Sequence, residues 1–407
     1  MIETKKRRYL HEVDLMRVIF IGGVLLNHTT TAFRASMASG TGSKLFLEAT
    51  HLALHFTRMG FMFMTGLVLV LNYYNKEHHW LQFWRKRYIN VGIPYVAWNA
   101  IILFIASLAM GALNWPTYWA NLGSNLKYAN QYYMYYIMVT FELYLIFPLI
   151  IYLFKKLSKH HLAILLTSLG LQFLIVFGIK YGLPHVDRSS WWYLFRAYGT
   201  NVLTYQFYFV AGAYVAIHYD QVNAFIEKFH RVIIGITGIL ALGTVGLFFF
   251  NLNVLNLSFS ATESVHQPFI LLYDVFMIAT VFWVGRQYAK ARENGFAPWL
   301  DRGIKNISKV SFGIYLVQSL PLFLLYGILD LVTLPAWVLL LLFPLGYVFV
   351  LGGAYLISWF CYKIPPFGVL IGRPQWHLSK GVTQHVKNNF KTQTTIERQP
   401  AKQFNQR

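Results

Sequence analysis

The chain has 407 residues, of which 56% are hydrophobic, 18% aromatic and only 12% charged, and it carries a formal net charge of +20. So apolar a composition excludes a soluble globular domain and leads us to expect a polytopic membrane protein. A single cysteine, Cys361, excludes an intramolecular disulfide and any cysteine-based metal cluster.

The amino end opens on the basic run KKRR (5–8). The first apolar stretch, 13–34, contains DLMRVIFIGGVLLNH (14–28), in which an acid, an arginine and a histidine interrupt a membrane-length run. Ionisable groups are costly in hydrocarbon, so they mark a functional site by default. No A-x-A-like cleavage site follows and further apolar runs do, so a retained helix is expected here rather than a signal peptide. Later runs approach the roughly 20 residues that cross a bilayer. They lie near 48–73, 88–111, 130–153, 162–179, 201–217, 232–250, 268–285, 307–331 and 336–360. An all-α bundle of about ten transmembrane helices is therefore expected over 13–360, with a basic segment at 1–12 and a basic tail at 361–407. Past about residue 378 the tail turns rich in Gln, Thr, Asn and Lys, the composition of a disordered segment.

Orientation follows from where Lys and Arg fall, because they are retained on the cytoplasmic side of short loops. The amino end, alternate connections and the tail hold 26 of the 35 Lys and Arg, whereas the opposite loops hold Arg34, Lys44, Lys127, Lys180, Arg188 and Arg196. Both termini are thus expected in the cytoplasm of a multi-pass cell-membrane protein. The positive charge then serves orientation and contact with acidic lipid headgroups rather than nucleic-acid binding.

On a helix, Arg17 and His28 are eleven residues apart, about three full turns, which leaves them within roughly 20° of one face and roughly 16 Å apart along the axis. That separation is comparable with an extended pantetheine arm. Asp14, three residues before Arg17, is spaced to pair with its guanidinium. The alternative is that Arg17 snorkels to the headgroups and His28 bonds a neighbouring helix.

These residues resemble the first-helix signature of the acyltransferase-3 family, an arginine and a histidine in this spacing preceded by an acid. FMFMTG (61–66) is similar to the family's second-span segment, with Thr65 where serine is usual. FWRKRYINVGIPY (83–95) resembles its cytoplasmic Arg-x-Arg motif, here Arg85 and Arg87. ELYLIFPLI (142–150) and SFGIYLVQ (311–318) resemble its fourth-span and penultimate-span motifs. Two positions depart from the pattern: Gln318 stands where a histidine is frequent, and Thr140 with Phe141 where an acidic pair is frequent. FYFVAGAYVAIHYDQVNAFIEKF (207–229) and FGVLIGRPQW (367–376) are similar to the branch associated with exopolysaccharide synthesis, whose members O-acylate poly-N-acetylglucosamine and related glycans.

The resemblance implies a membrane O-acyltransferase that uses acetyl-CoA, or another acyl-CoA such as succinyl-CoA, as donor substrate, with no permanently bound cofactor. The acceptor is then a hydroxyl of a cell-surface or secreted glycan, with a glycan synthase or export protein as a further partner. Transfer needs a general base near neutral pKa, and His28 is the candidate. Arg17 would meet the thioester arm or the inner end of the channel, with Asp14 fixing its rotamer, and the fork geometry of Arg85 and Arg87 suits the donor's phosphates. The competing reading of RKR (85–87) is a plain positive-inside anchor.

Other polar groups are candidates of a second rank. His51, His55 and Arg58 recur at i, i+4 and i+7 and share a helical face. A His-x3-His pair can hold zinc, but no third ligand is evident, so no metal is expected. Glu142 and Asp274 lie inside spans and can orient a partner across the bundle or pair structurally. Trp191 and Trp192, with Trp115 and Trp119, combine aromatic faces with nearby polar groups, as a glycan site or an interfacial belt does. The rival functions are an exporter of the glycan, since transporters also place polar groups at the midplane, and a non-catalytic subunit of a glycan synthase.

The charge pattern makes a direct prediction. Cysteines introduced at position 5 and in the tail should be shielded from an impermeant thiol reagent in intact cells, whereas one at position 188 should label. Labelling of the tail from outside would overturn the orientation.

Overall fold

The computed structural model describes residues 9–76, 79–184 and 186–373, and among these every regular element is a helix. The run 5–8 and the tail beyond 373 lie outside the described residues. In chain order the helices are α1 (His11–Ala35), α2 (Gly42–His51), α3 (Phe56–Tyr73), α4 (Trp80–Ala109), α5 (Trp115–Tyr128), α6 (Tyr135–Lys156), α7 (His161–Phe177), α8 (Tyr193–Arg196) and α9 (Gln206–Ile217). They continue with α10 (Tyr219–Phe249), α11 (Phe259–Thr262), α12 (Pro268–Glu293), α13 (Pro298–Val317), α14 (Ser319–Leu331) and α15 (Ala336–Lys363). A final 3-10 turn spans Phe367–Ile371.

Local chemistry sets several boundaries. α1 carries Glu12 and Asp14 in its first turn and Arg34 in its last, matching the signs of the helix macrodipole. Asn114 caps α5 by accepting from the Thr117 backbone N–H, and Pro116 sits in the first turn, where its missing N–H costs nothing.

The bundle is organised around α1, which packs against α3, α12, α13 and α15. Met16, Phe20, Ile21, Leu25 and Ala32 of α1 are fully enclosed by protein. Most of the apolar window of α3 is likewise covered, whereas α10 and α15 leave the greater part of theirs facing outward. The closest approach is between α3 and α9. A Cβ at Gly66 would lie 2.1 Å from the Phe209 carbonyl oxygen, and one at Gly212 would lie 1.9 Å from that of Phe63. Small residues let membrane helices come this near, where packing rather than apolar burial holds them together.

The expected polytopic helix bundle is what the structure shows, with the ten expected stretches falling on helices of unequal length. Seven helical spans are long and apolar enough to cross a membrane, and eight if α13 and α14, bent by 59°, form one broken span. The expected span at 201–217 shrinks to the 12-residue α9, preceded by two short 3-10 turns. The first has the length of a span, but Arg17 and the polar run from Asn27 to Thr31 make α1 less apolar than the other spans. Its polarity is tolerated because protein, not lipid, surrounds it. The break between α13 and α14 falls at Gln318, which is fully buried with neither amide atom paired among the described residues.

The α3–α9 contact can be tested by size. Gly66→Val should cost about 1–3 kcal/mol, the usual cost of overpacking, seen as a lower thermal midpoint of the purified protein. Gly170→Ala, in α7 with open space around it, should be neutral or stabilising by up to about 1 kcal/mol.

Candidate active site

A cavity of about 430 Å³ runs beside α1, and Arg17 and His28 both line it. The eleven-residue spacing therefore does place the two on one wall of one space. Around Arg17, α13 contributes Lys309, adjacent to Ser308, whose hydroxyl donates to Asp14 Oδ1 at 2.7 Å. α4 contributes Arg87, whose guanidinium lies over the rings of Tyr73, Phe83 and Tyr144 at 5.7–5.9 Å. Arg373 joins from the segment after α15, which is held on α4 by the Trp98 indole N–H donating to the Leu370 carbonyl at 2.8 Å.

Farther along α1, the His28 ring stacks on Tyr133 with centroids 3.4 Å apart. Tyr133 is in turn fixed by the Tyr315 hydroxyl, which donates to its carbonyl. No described residue hydrogen-bonds the His28 ring, so stacking sets its orientation and its nitrogens stay available to the cavity. His55 and Arg58 complete this part of the wall. Asn27 bridges toward His51 Nε2 at 3.4 Å and His55 Nδ1 at 3.5 Å, and Arg58 lies over the Tyr135 ring at 4.8 Å.

Five cations line the cavity (Arg17, Arg58, Arg87, Lys309 and Arg373), and no Asp or Glu does among the described residues. Confined cations without acids favour an anionic ligand, because ring faces beside Arg58 and Arg87 offset only part of the cost of desolvating them.

Several sequence candidates are placed differently from expectation. Asp14 makes no ion pair with Arg17 among the described residues. Its carboxylate instead accepts from Ser308 and, at 3.0 Å, from the Tyr9 hydroxyl, so it ties α1 to α13. Arg85 is exposed and outside the cavity. The reason is helical geometry, since residues two apart point roughly 200° from one another. Trp191 and Trp192 are exposed and line neither this cavity nor its neighbour, and Trp115 and Trp119 are exposed as well. Glu142 is also outside the cavity, where its Oε2 accepts from the Val202 N–H at 2.6 Å and so secures the entry to α9. Asp274 accepts from Tyr208 at 2.9 Å in the core, a structural pairing. His51 does not line the cavity, whereas Thr65, Thr140 and Tyr315 do, their hydroxyls each donating to a backbone carbonyl.

The residues that sequence inspection missed are Tyr133, Lys309 and Arg373. One signal was present for Lys309 alone: three Lys and Arg fall in no loop or terminal segment, namely Arg17, Arg58 and Lys309. All three line this cavity.

No curated protein and no solved structure matches the chain. A family model described as an acyltransferase domain matches residues 10–362. That span takes in every helix from α1 to α15 but for the edges, and with it the Arg17–His28 wall. The chain accordingly belongs to the acyltransferase-3 family and is a multi-pass membrane acyltransferase.

Proposed function

We propose that the protein is a cell-membrane O-acyltransferase that moves an acyl group, acetyl in the first instance, from a cytoplasmic acyl-CoA to a hydroxyl of a surface or secreted glycan. The support is one observation: a cation-lined cavity, free of acids among the described residues, that extends from Arg17 to a histidine whose ring no described residue hydrogen-bonds. A CoA thioester has the matching shape, with phosphates at one end and a reactive carbonyl about one pantetheine arm away. Arg87, Lys309 and Arg373 would hold the phosphates, Arg17 would line the path of the arm, and His28 would meet the carbonyl. Acetyl rather than succinyl, and a glycan of the exopolysaccharide type, rest on the resemblance of the sequence segments.

The chemistry then takes a simple course. His28 accepts the acceptor's hydroxyl proton as the oxygen attacks the thioester carbon. Arg58 faces the same space, where a cation stabilises the oxyanion of the tetrahedral intermediate. Collapse breaks the carbon–sulfur bond, and the leaving thiolate takes the proton back from the imidazolium. An exporter would also need polar groups here, but it would have no use for a free imidazole at the end of an anion-binding arm.

Two measurements test this. His28→Gln keeps hydrogen bonding without basicity, so it should leave expression normal and lower transfer from acetyl-CoA by roughly 10²–10⁴-fold, the usual loss on removing a general base. Wild-type transfer by that variant would remove His28 as the base. Arg87→Lys should weaken CoA binding about tenfold through loss of the planar fork, whereas Arg85→Lys should leave it within about twofold. Equal effects of the two would return the RKR run to an orientation signal.

A further inference from the structure

A second cavity, of about 350 Å³, adjoins the first, and His55 and Arg58 line both. It lies against the end of α7 and the connections that precede α8 and α12. Its volume is at the lower end of the roughly 300–1,000 Å³ usual for small-molecule sites. Nothing in the donor chemistry uses it.

Its charges do not balance. Arg58, Lys180 and Arg188 line it, against one carboxylate, Glu263. That carboxylate is already engaged by Arg34 through both oxygens, Nη2 to Oε2 at 2.8 Å and Nη1 to Oε1. Lys180 is buried, and its ammonium donates to two neutral amide oxygens, Asn251 Oδ1 and Gln267 Oε1, each at 2.8 Å. No acid pairs with it among the described residues. Arg188 lies over the Tyr198 ring at 5.2 Å and likewise has no carboxylate partner among the described residues. His266, between α11 and α12, has its pKa pushed down to about 3 by burial, with the Arg58 charge adding to the effect, so it is neutral and adds no charge. Burying the Lys180 ammonium without an acid is costly unless an anion completes the site, and ammonium and guanidinium groups are both suited to carboxylate or phosphate.

We propose that this second cavity receives the acceptor, and that the acceptor carries an anionic group, a carboxylate or a phosphate, in addition to the hydroxyl that is acylated. Lys180 and Arg188 engage the anion, and the hydroxyl reaches past Arg58 and His55 into the space of His28. This rests on the acyltransferase reading proposed above, and extends it from a hydroxyl acceptor in general to an anionic one.

The test is binding, independent of turnover. Full-length protein in lipid nanodiscs is titrated with three probes: methyl glucoside, methyl glucuronide and methyl glucoside 6-phosphate. At least one anionic probe should bind about tenfold or more tighter than the neutral sugar, and its identity separates a carboxylate from a phosphate acceptor. Arg188→Gln, at a partly exposed loop position where folding is not at stake, and Lys180→Gln should each erase most of that preference while CoA binding stays unchanged. Equal affinity for all three probes, or a preference that survives both variants, would overturn the proposal. So would a dependence of succinyl-CoA rather than sugar binding on Lys180 and Arg188, which would assign the cations to the acyl group. Transfer is scored separately in the same preparation. Anion preference without transfer would sink the acyltransferase reading and leave the anion site standing, whereas transfer that favours no anionic acceptor over a neutral one, and that is unchanged for anionic acceptors in Arg188→Gln, would do the reverse.

Discussion

An arginine and a histidine can occupy a membrane helix only if lipid does not touch them, and the rest of the bundle follows from that constraint. α1 is enclosed along nearly its whole length, with Met16, Phe20, Ile21 and Leu25 fully covered. α3, α12, α13 and α15 pack around it, and α10 and α15 give much of their own surface to the exterior. The outer helices can be uniformly apolar because they carry the lipid contact. α1 can be polar because it does not. The tight α3–α9 contact at Gly66 and Gly212 belongs to the same design, since it brings α3, which carries His55 and Arg58 at its start, firmly into the bundle interior.

Charge is divided by role. The buried acids face inward to other protein groups: Glu12 to Arg286 and Tyr219, Asp14 to Ser308 and Tyr9, Asp274 to Tyr208, and Glu142 to the Val202 N–H. The cations of Arg17, Arg58 and Lys309 face the cavity. With the acids committed to holding helices together, the cavity retains a field that an anionic substrate would neutralise. Binding such a substrate then offsets the cost of having assembled the cations, which is how a site can be strongly selective for charge without being stable as an isolated ion cluster.

How much of this was legible in the sequence depends on whether a feature is local. The Arg17–His28 wall is a matter of helical phase within one element, so spacing alone found it. Phase could also have separated Arg85 from Arg87, since residues two apart cannot face one cavity, but the shared charge of the pair obscured it. Helix length was least legible at 201–217, where the sequence is apolar, yet Asn201 and Thr204 organise short turns and only 12 residues remain for α9. Asp14 had the right spacing for Arg17, but a serine on α13 and a tyrosine before α1 both bond its Oδ1 and turn the carboxylate toward α13, and the serine is not visible from local sequence. Tyr133 and Arg373 come from segments distant in the chain, so only the packing of α4, α13 and the final turn brings them to the site. Trp191 and Trp192 lie outside both cavities, and aromatic composition describes an interface as well as it describes a sugar site.

The central claim is that one cavity along α1 holds an acyl-CoA lengthwise, with its reactive carbon at His28. The most direct measurement is an electron cryo-microscopy structure of the protein in nanodiscs with a non-transferable thioether analogue of acetyl-CoA. Density for the arm beside α1, with the phosphates at Arg87, Lys309 and Arg373 and the acyl carbon within reach of the His28 ring, is the expected result. An analogue bound elsewhere, or bound with its phosphates at His28, would contradict the account.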